Sequence, residues 1–404
     1  MIITKGEAEC ICFEEILELW KKLPTSFPMF LTEIPEEQKQ QNENFLTETG
    51  EEWKKLAKSF PAEEEEQIWK QRTDTLLEAF LAKEQILGIR SHMSRKLFGE
   101  FQEETMKFVQ KTRRFDSELS NENIWQAMRN YFIYAVIADL QGQKQECKGS
   151  AWAYSLLYPY TDNYIDEKGH TAKQKEAYNK MIHDKLCDLP VTAEKGIGEK
   201  TCYLLESLCS EYQGEKRREI QNLLLLMLEA QSNSIHQQCK KKKLTEEEIL
   251  RISVYKGSIS VLIDYFFTVA RMEQEEIEFY MKFGFLLQLA DDLQDVKEDK
   301  KCGSQTIIVR YAKQGRMEDI VNCLLHYAHQ IFAEFTPVKD SLKAFMEQNC
   351  YTMLLLAAAQ NKSYLSKTYI QELEKFLPVH IAYLQKQKQL QKRRKRKMPA
   401  GGVK

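Results

Sequence analysis

The chain has 404 residues, enough for one large domain or two ordinary ones with a substantial core. Its 58 Lys and Arg residues nearly balance 60 Asp and Glu residues, so a formal net charge of -2 gives no overall electrostatic footprint for nucleic acid. With 43% hydrophobic residues but only 16 Gly and 9 Pro, the composition favours long helices over a turn-rich β architecture or a disordered chain.

The first 115 residues predict packing helices separated by prolines at positions 24, 28, 35 and 61. The glutamates at 63–66 begin a helix that is predicted to run towards Leu87. The N-terminus lacks the apolar core of a signal peptide, and no apolar run reaches the roughly 20 residues that a membrane-spanning helix needs. We therefore expect a cytoplasmic protein.

From residue 121 onward, helical patterns follow one another without a long linker, an internal repeat or a strand-like alternation. The predicted helices are 122–143, 150–166, 171–187, 198–212, 216–240, 245–270, 275–300, 317–335, 338–361 and 366–388. Several of them are apolar nearly all round, notably 219–230, 259–270 and 279–290. Such helices belong at the centre of an all-α bundle, where they can wall a deep apolar cavity.

An acidic stripe follows the apolar part of the helix at 275–300. Asp291, Asp295 and Asp299 recur at steps of four, which places them on one helical face, and Asp292 lies beside them. Pro159 should kink or bound the helix just before a second stripe, Asp162 and Asp166, which lies 129 residues upstream counting Asp162 to Asp291. Like charges next to apolar helices are costly unless cations neutralise them.

Two facing carboxylate stripes predict a magnesium site. Magnesium prefers oxygen ligands and is typically held by a few carboxylates plus substrate phosphates. We expect Asp162, Asp166, Asp291, Asp292, Asp295 and Asp299 to hold a cluster of about three Mg2+ ions, for which Mn2+ can substitute. Such a cluster neutralises a diphosphate as it leaves carbon, and an apolar cavity beneath it excludes water from the resulting cation. Solvated acidic helix faces are the alternative interpretation.

Basic and aromatic residues near these stripes are further candidates. Lys256 precedes Gly257 inside an apolar helix, where a glycine indicates close packing or a break. We expect Lys256, Lys300 and Arg310 to contact the diphosphate, although each can equally be a solvated side chain. The aromatic residues that can line the cavity or simply fill the core are Tyr154, Tyr158, Tyr160, Phe279, Phe283 and Phe285.

The segments QLADDLQDVKEDKKCG, DNYID and YKGSISVL resemble motifs of the class I terpenoid (isoprenoid) synthase superfamily. The first is similar to the second acidic motif of squalene- and phytoene-synthase-like enzymes, with Gln288, Asp291, Asp295, Asp299 and Gly303 at the matching places. The other two look like the first acidic motif and the central broken helix of large bacterial terpene synthases. The resemblance covers roughly residues 120 to 310. It implies a helical bundle with a central active-site cavity and a Mg2+-dependent reaction on a prenyl diphosphate.

Departures from these motifs favour cyclisation or elimination of one prenyl diphosphate. DNYID is not followed by the arginine pair of chain-elongating enzymes, and Gln294 stands where head-to-head synthases usually carry arginine. Ser304, Gln305 and Thr306 replace the Tyr-Leu-Pro expected there. The resemblance therefore implies a terpene synthase, a lyase in which Asp162, Asp166, Asp291 and Asp295 are catalytic. A prenyltransferase joining two prenyl diphosphates is the runner-up.

The organisation that follows is one all-α domain over 1–385, with packing helices at 1–115 and a catalytic bundle at 116–385. Residues 386–397 carry eight basic residues and no acid, and we expect 386–404 to be a disordered tail. Such a tail can also touch an anionic membrane. A non-catalytic helical scaffold at a membrane surface is therefore the alternative from another class, and a homodimer stays open.

Overall fold

A computed structural model describes residues 13–58, 71–72, 75–76, 78–80, 83–92, 95–143, 146–167, 169–238, 243–337 and 340–397. Every regular element in these ranges is a helix. The all-α prediction is confirmed to that extent. The glutamates at 63–66 and residues 398–404 lie outside the described residues.

Fifteen helices in these ranges are numbered in chain order, and three shorter turns lie between them at Ile89–His92, Ile235–Gln238 and Lys362–Tyr364. The helices are α1 Phe13–Lys22, α2 Glu36–Lys58, α3 Arg95–Phe115, α4 Asn121–Leu140, α5 Gly149–Asp166, α6 Ala172–Leu186, α7 Ile197–Cys209, α8 Gly214–Ser234, α9 Glu246–Phe266, α10 Gln274–Cys302, α11 Ile307–Lys313, α12 Met317–Glu334, α13 Asp340–Gln360, α14 Lys367–Glu374 and α15 Ile381–Lys397.

Local sequence signals set several of these boundaries. The Thr245 side chain accepts a hydrogen bond from the Glu248 amide, and the Glu248 carboxylate accepts one from Thr245, which closes a capping box at the start of α9. Gly303 ends α10 with φ 84°, a left-handed conformation that a residue without Cβ adopts freely. The two helices that bear on the candidate site therefore have defined ends.

Helices α9 and α10 pack against each other at the centre of the bundle, and two glycines allow their backbones to meet. A Cβ added at Gly257 would lie 2.8 Å from the Gln288 Cβ and closer still to the Gly284 carbonyl oxygen. A Cβ at Gly284 would meet the Gly257 carbonyl oxygen in turn. One residue on, the Ser258 hydroxyl donates to the Met281 carbonyl at 2.8 Å. The glycine at 257 therefore serves close helix packing.

The N-terminal helices pack on the same bundle. Trp20 of α1 meets the rings of Phe285 in α10 and Tyr327 in α12. At the other end, Lys39 and Asn42 of α2 donate to backbone carbonyls near the end of α14 and beyond it, at 2.6 and 2.8 Å. One continuous hydrophobic core extends from α1 to α15. The first 115 residues thus supply packing helices where they are described.

Pro159 lies inside α5, within the helix predicted at 150–166. The structure differs from the sequence-based helix predictions at three places. The prediction of one helix at 366–388 is wrong, because α14 and α15 are separated around Pro378, which cannot donate within a helix. Helix α11 was not predicted. Helix α15 continues through 386–397, where a disordered tail was expected, because lysine, arginine and glutamine are good helix formers.

No helix in the described ranges is long and apolar enough to cross a membrane.

Candidate active site

The four aspartates of α10, at 291, 292, 295 and 299, form what we call the α10 acidic cluster. Asp291 and Asp295 are exposed and Asp299 is half-buried, whereas Asp292 is buried with 6% of its surface exposed. The predicted stripe of Asp291, Asp295 and Asp299 is therefore present on one face of the helix. Asp292, which lies beside it, points inward. The carboxylates of the cluster are close enough to influence one another electrostatically.

Asp292 carries the largest perturbation in this cluster. The Gln288 amide donates to its Oδ1 at 3.0 Å, but Oδ2 is buried and has no hydrogen-bond partner in the described part of the chain. Burial raises the pKa of Asp292 to about 8, and the negative charges of Asp291 and Asp299 add to the rise. The group therefore needs a proton or a cation near neutral pH.

Asp295 and Asp299 have raised pKa values for the same reasons as Asp292. Burial and the charge of Asp295 raise the pKa of Asp299 to about 6, while a hydrogen bond with Ser304 opposes the rise. Burial and the charge of Asp291 also raise the pKa of Asp295. Mutual repulsion thus runs along the whole stripe, and neighbouring protein charges only partly offset it.

Two cations face the α10 acidic cluster from other helices. Lys256 of α9 is half-buried, and its charge lowers the pKa of both Asp292 and Asp299. Arg129 of α4 does the same for Asp295. Among the described residues, neither forms an ion pair within 4.0 Å of the cluster. Lys256 and Arg129 therefore act on the carboxylates through their charge and form no salt bridge with them among the described residues.

Asp162 occupies the last turn of α5. The Gln231 amide near the end of α8 donates to its Oδ1 at 2.7 Å. Neighbouring Asn163 donates to side chains of α4. The side chain of Asp166 lies outside the described residues, although its position ends α5. The first stripe is therefore described only through Asp162, which is held by a neutral amide.

The end of α8 links the two acidic segments. Six residues after Gln231, the Gln237 carbonyl accepts a hydrogen bond from the Gln305 amide at 2.8 Å. Gln305 follows α10 directly, and the preceding Ser304 amide donates to the Asp299 carbonyl at 2.9 Å. Six residues of helix or 3-10 turn span roughly 10 Å, so both acidic stripes reach the same end of the bundle.

Helix α9 provides a second link. The Tyr158 hydroxyl, one turn before Asp162 in α5, hydrogen-bonds to the Ser260 hydroxyl. Lys256 lies one turn from Ser260 on the same face of α9 and acts on the α10 acidic cluster. Helix α9 therefore contacts Tyr158 of α5 through Ser260 and the α10 acidic cluster through the charge of Lys256, about one helical turn apart.

A small, largely apolar cavity of about 40 Å³ lies between α5, α6, α7 and α8. Thr161 and Gln231 lie at its polar end, and Tyr154 and Tyr158 form one wall. The apolar lining comes from α5 to α8 and consists of Leu157, Ile182, Leu186, Leu205, Leu224, Met227 and Leu228. Its apolar lining suits a hydrocarbon group, but at this volume the lining side chains must move apart before a prenyl chain can enter.

The structure separates the other predicted residues from this region. Lys300 lies over the Tyr364 ring at 4.9 Å, and Arg310 donates to the Leu244 carbonyl at 3.2 Å. The Tyr160 hydroxyl bonds to Asp116. Three other candidate aromatics, Phe279, Phe283 and Phe285, pack against further rings of the core. Of the predicted basic contacts, only Lys256 is brought to the acidic residues.

Two residues of this region were not singled out by the sequence analysis. Gln231 holds Asp162, and Ser260 bonds the cavity tyrosine. Lone polar residues on otherwise apolar helices were the available signal for Gln231 and Ser260. Such residues are common in solvated positions, so only the packing of α8 and α9 gives them a role.

In the part of the chain described here, no three side chains from His, Cys, Asp and Glu are grouped as one metal ion would require. The chemistry of the α10 acidic cluster nevertheless fits Mg2+. Its donors are carboxylate oxygens, Asp292 Oδ2 is buried without a partner among the described residues, and burial, with repulsion added, raises the pKa of three members. A divalent cation would offset that excess negative charge.

No family model, characterised protein or solved structure matches this chain.

Proposed function

We propose that this protein ionises a linear prenyl diphosphate with Mg2+, releasing pyrophosphate with cyclisation or elimination of the hydrocarbon. The proposal is supported by the α10 acidic cluster with Lys256 beside it, and by an apolar cavity lined by Gln231, the residue that holds Asp162. One end of this region suits a multiply charged anion with its cations, and the other suits a hydrocarbon. A prenyl diphosphate has both parts in one molecule.

Each group has a distinct role in the proposed reaction. The predicted metal ligands would hold Mg2+, which when bound supplies Lewis-acid assistance to the departure of the diphosphate; they are Asp162, Asp166, Asp291, Asp292, Asp295 and Asp299. Lys256 and Arg129 carry positive charge that stabilises the negative charge developing on the leaving group. Gln231 fixes the orientation of the Asp162 carboxylate by its 2.7 Å hydrogen bond.

The cavity would bind the hydrocarbon and exclude water from the cation left on it. Its wall of Leu, Ile and Met side chains offers no nucleophile. The rings of Tyr154 and Tyr158 present π faces that stabilise positive charge. Their hydroxyls are engaged by α9, through the Ser260 carbonyl at 3.2 Å for Tyr154 and the Ser260 hydroxyl for Tyr158.

The test is incubation of the purified full chain with Mg2+ and prenyl diphosphates of different chain lengths, singly and in pairs. Pyrophosphate release and extracted hydrocarbons are the readouts. We expect release from a single substrate, its loss in EDTA, and at least about a 100-fold reduction in kcat/KM for Asp295→Asn. Glu278→Gln is the matched control, because Glu278 lies near the opposite end of α10 and should retain full activity.

Other outcomes identify the competing functions. Product that forms only from two prenyl diphosphates would identify a prenyltransferase. No pyrophosphate from any substrate, with Asp295→Asn folded and indistinguishable from the parent chain, would contradict catalysis. A scaffold would then be tested by deletion of residues 386–404, which should abolish membrane binding.

A further inference from the structure

The last helix, α15, is strongly basic along its second half. Residues 386–397 carry eight Lys and Arg residues, and 392–397 are six basic residues in a row. No acidic residue follows Glu374 in the sequence. Because α15 is helical through Lys397, the segment 386–397 is a rod of about 18 Å. We call this segment the basic half of α15.

Several contacts fix the start of α15 on the bundle. His380 directly precedes the helix, and its Nδ1 lies 2.6 Å from Glu43 Oε1 while its Nε2 lies 2.5 Å from Glu36 Oε1. Within the first turn, the hydroxyls of Tyr383 and Thr47 are 3.1 Å apart. Both glutamates and the threonine belong to α2. Helix α2 therefore sets where the basic half begins on the surface of the bundle.

The basic half has no apolar face and no acidic partner where its side chains are described. Lys386 and Lys388 are exposed, and neither forms an ion pair with another described residue. Leu390 is the only apolar residue of the segment 386–397. At 100° per residue, the eight basic positions are distributed all round the helix. Such a helix suits a flat anionic surface, whereas binding in an apolar protein groove requires one apolar face.

The rest of the chain is acidic by contrast. Residues 386–404 hold nine of the 58 Lys and Arg residues and none of the 60 Asp and Glu residues. That leaves 49 basic and 60 acidic residues for 1–385, a formal net charge of -11. A nucleic acid is bound along an extended basic track, which an acidic body does not offer. A membrane meets only one edge of a protein, so the charge distribution favours a membrane.

We propose that the basic half of α15 docks this protein on an anionic lipid membrane. Each Lys or Arg near such a surface strengthens binding about fivefold, so about four that face it together give several hundredfold. With Leu390 as its only apolar residue, the segment stays at the level of the headgroups. The inference does not rest on the proposed function, although a hydrocarbon product would then be released beside a lipid phase.

The experiment is cosedimentation of the purified full chain with lipid vesicles. Neutral vesicles of phosphatidylcholine are compared with vesicles that also contain phosphatidylserine. We expect the parent chain to bind the anionic vesicles at least about 100-fold more strongly. Raising the ionic strength from about 0.1 M to about 1 M shortens the Debye length from about 10 Å to about 3 Å, and it should release the protein.

Two variants separate charge from other properties of the helix. The first replaces the six consecutive basic residues by glutamine, which is also a good helix former, and should bind the anionic vesicles at least about 30-fold more weakly. Its substitutions are Lys392→Gln, Arg393→Gln, Arg394→Gln, Lys395→Gln, Arg396→Gln and Lys397→Gln. The matched control exchanges Lys for Arg and Arg for Lys at the same positions, keeps every charge and should bind like the parent. If the glutamine variant does not fold, the salt dependence of the parent decides.

Three results would overturn the inference. They are equal binding of neutral and anionic vesicles, undiminished binding by the folded glutamine variant, and loss of binding in the charge-preserving control. Binding of single-stranded RNA by the parent at the same or a lower phosphate concentration than the vesicles would make the partner a nucleic acid instead. Pyrophosphate release without vesicles is a separate readout, and its absence would refute the proposed function while leaving membrane docking intact.

Discussion

The described carboxylates of α5 and α10 are held in different ways. The α10 acidic cluster gathers four carboxylates on one helix, and burial and repulsion raise the pKa of Asp292, Asp295 and Asp299. On α5, Asp162 is instead held by a neutral amide from Gln231. In the α10 acidic cluster, neighbouring cations offset the negative charge only partly. The Asp162 carboxylate is oriented by its hydrogen bond to Gln231.

This difference assigns unequal tasks to the two segments in the proposed reaction. A site with excess negative charge gains most from a divalent cation, so the α10 acidic cluster should dominate Mg2+ affinity. The Asp162 carboxylate, which accepts hydrogen bonds from the Gln231 amide and the Thr161 hydroxyl, should contribute mainly geometry. The sequence alone, which shows two acidic stripes of similar spacing, does not distinguish these tasks.

The largest expected effect comes from separating α9 from α10. Gly284→Ala places a Cβ against the Gly257 carbonyl oxygen, which belongs to the backbone and cannot rotate away. We expect a loss of about 3 kcal/mol in the free energy of unfolding, measured by urea denaturation. In the fraction that remains folded, Lys256 should move away from the α10 acidic cluster.

Gly99→Ala is the control for this substitution. Gly99 lies within α3, and a Cβ there would meet nothing within 4 Å. Alanine is the better helix former, so this variant should be more stable by up to about 1 kcal/mol. Equal destabilisation by both variants would contradict the close contact of α9 and α10.

A smaller effect tests the excess negative charge directly. A carboxyl whose pKa is raised to about 8 binds more protons in the folded chain than in the unfolded chain, where its pKa is about 4. Its contribution to the free energy of unfolding is therefore fully present below pH 4 and is lost as the pH rises towards 8. Without Mg2+, Asp292→Asn should be more stable than the parent by about 2 kcal/mol at pH 8.

That advantage should shrink as the pH is lowered to 4.5, because the parent's carboxyl then retains its proton at little cost. Urea denaturation at the two pH values measures the difference. If Asp292→Asn is more stable than the parent by the same amount at both pH values, ionisation of Asp292 does not lower the free energy of unfolding.

The smallest expected effect tests whether the hydrogen bond from Gln231 to Asp162 of α5 orients that carboxylate. Gln231→Leu removes the hydrogen bond to Asp162 and leaves the α10 acidic cluster untouched. We expect kcat/KM to fall about fivefold, equivalent to about 1 kcal/mol, with the Mg2+ concentration for half-maximal activity unchanged. Asn179→Leu, which removes only a 3.4 Å contact between α6 and α8, is the control. A shift in Mg2+ dependence would show that both segments bind metal equally.

The sequence predicted the helices of the central bundle well, because their apolar faces and caps are local properties. Helix α9 was expected at 245–270 and runs Glu246–Phe266, with the capping threonine at 245. The prediction was poorest where a proline falls inside a helical pattern. Pro159 is accommodated within α5, whereas Pro378 lies between α14 and α15, and local propensity does not tell these cases apart.

The candidate site was predictable only in its acidic residues and Lys256. The proposed diphosphate contacts Lys300 and Arg310 follow the acidic motif in sequence, but α10 ends at Gly303 and carries them to other neighbours. Gln231 gains its role from packing between helices that are far apart in the chain. A single polar residue in an apolar helix signals such a role only when its neighbours are known.

The contact between Gly257 and Gly284 also fixes the rotational setting of the proposed metal-binding face. Sliding α10 by one residue would bring Phe283 or Phe285 opposite Gly257 and turn the acidic cluster by about 100°. No intermediate setting keeps the two backbones together. Substitutions elsewhere in the bundle can therefore reshape the cavity around a different hydrocarbon while the carboxylates keep their direction, so product range and metal binding can vary independently in this fold.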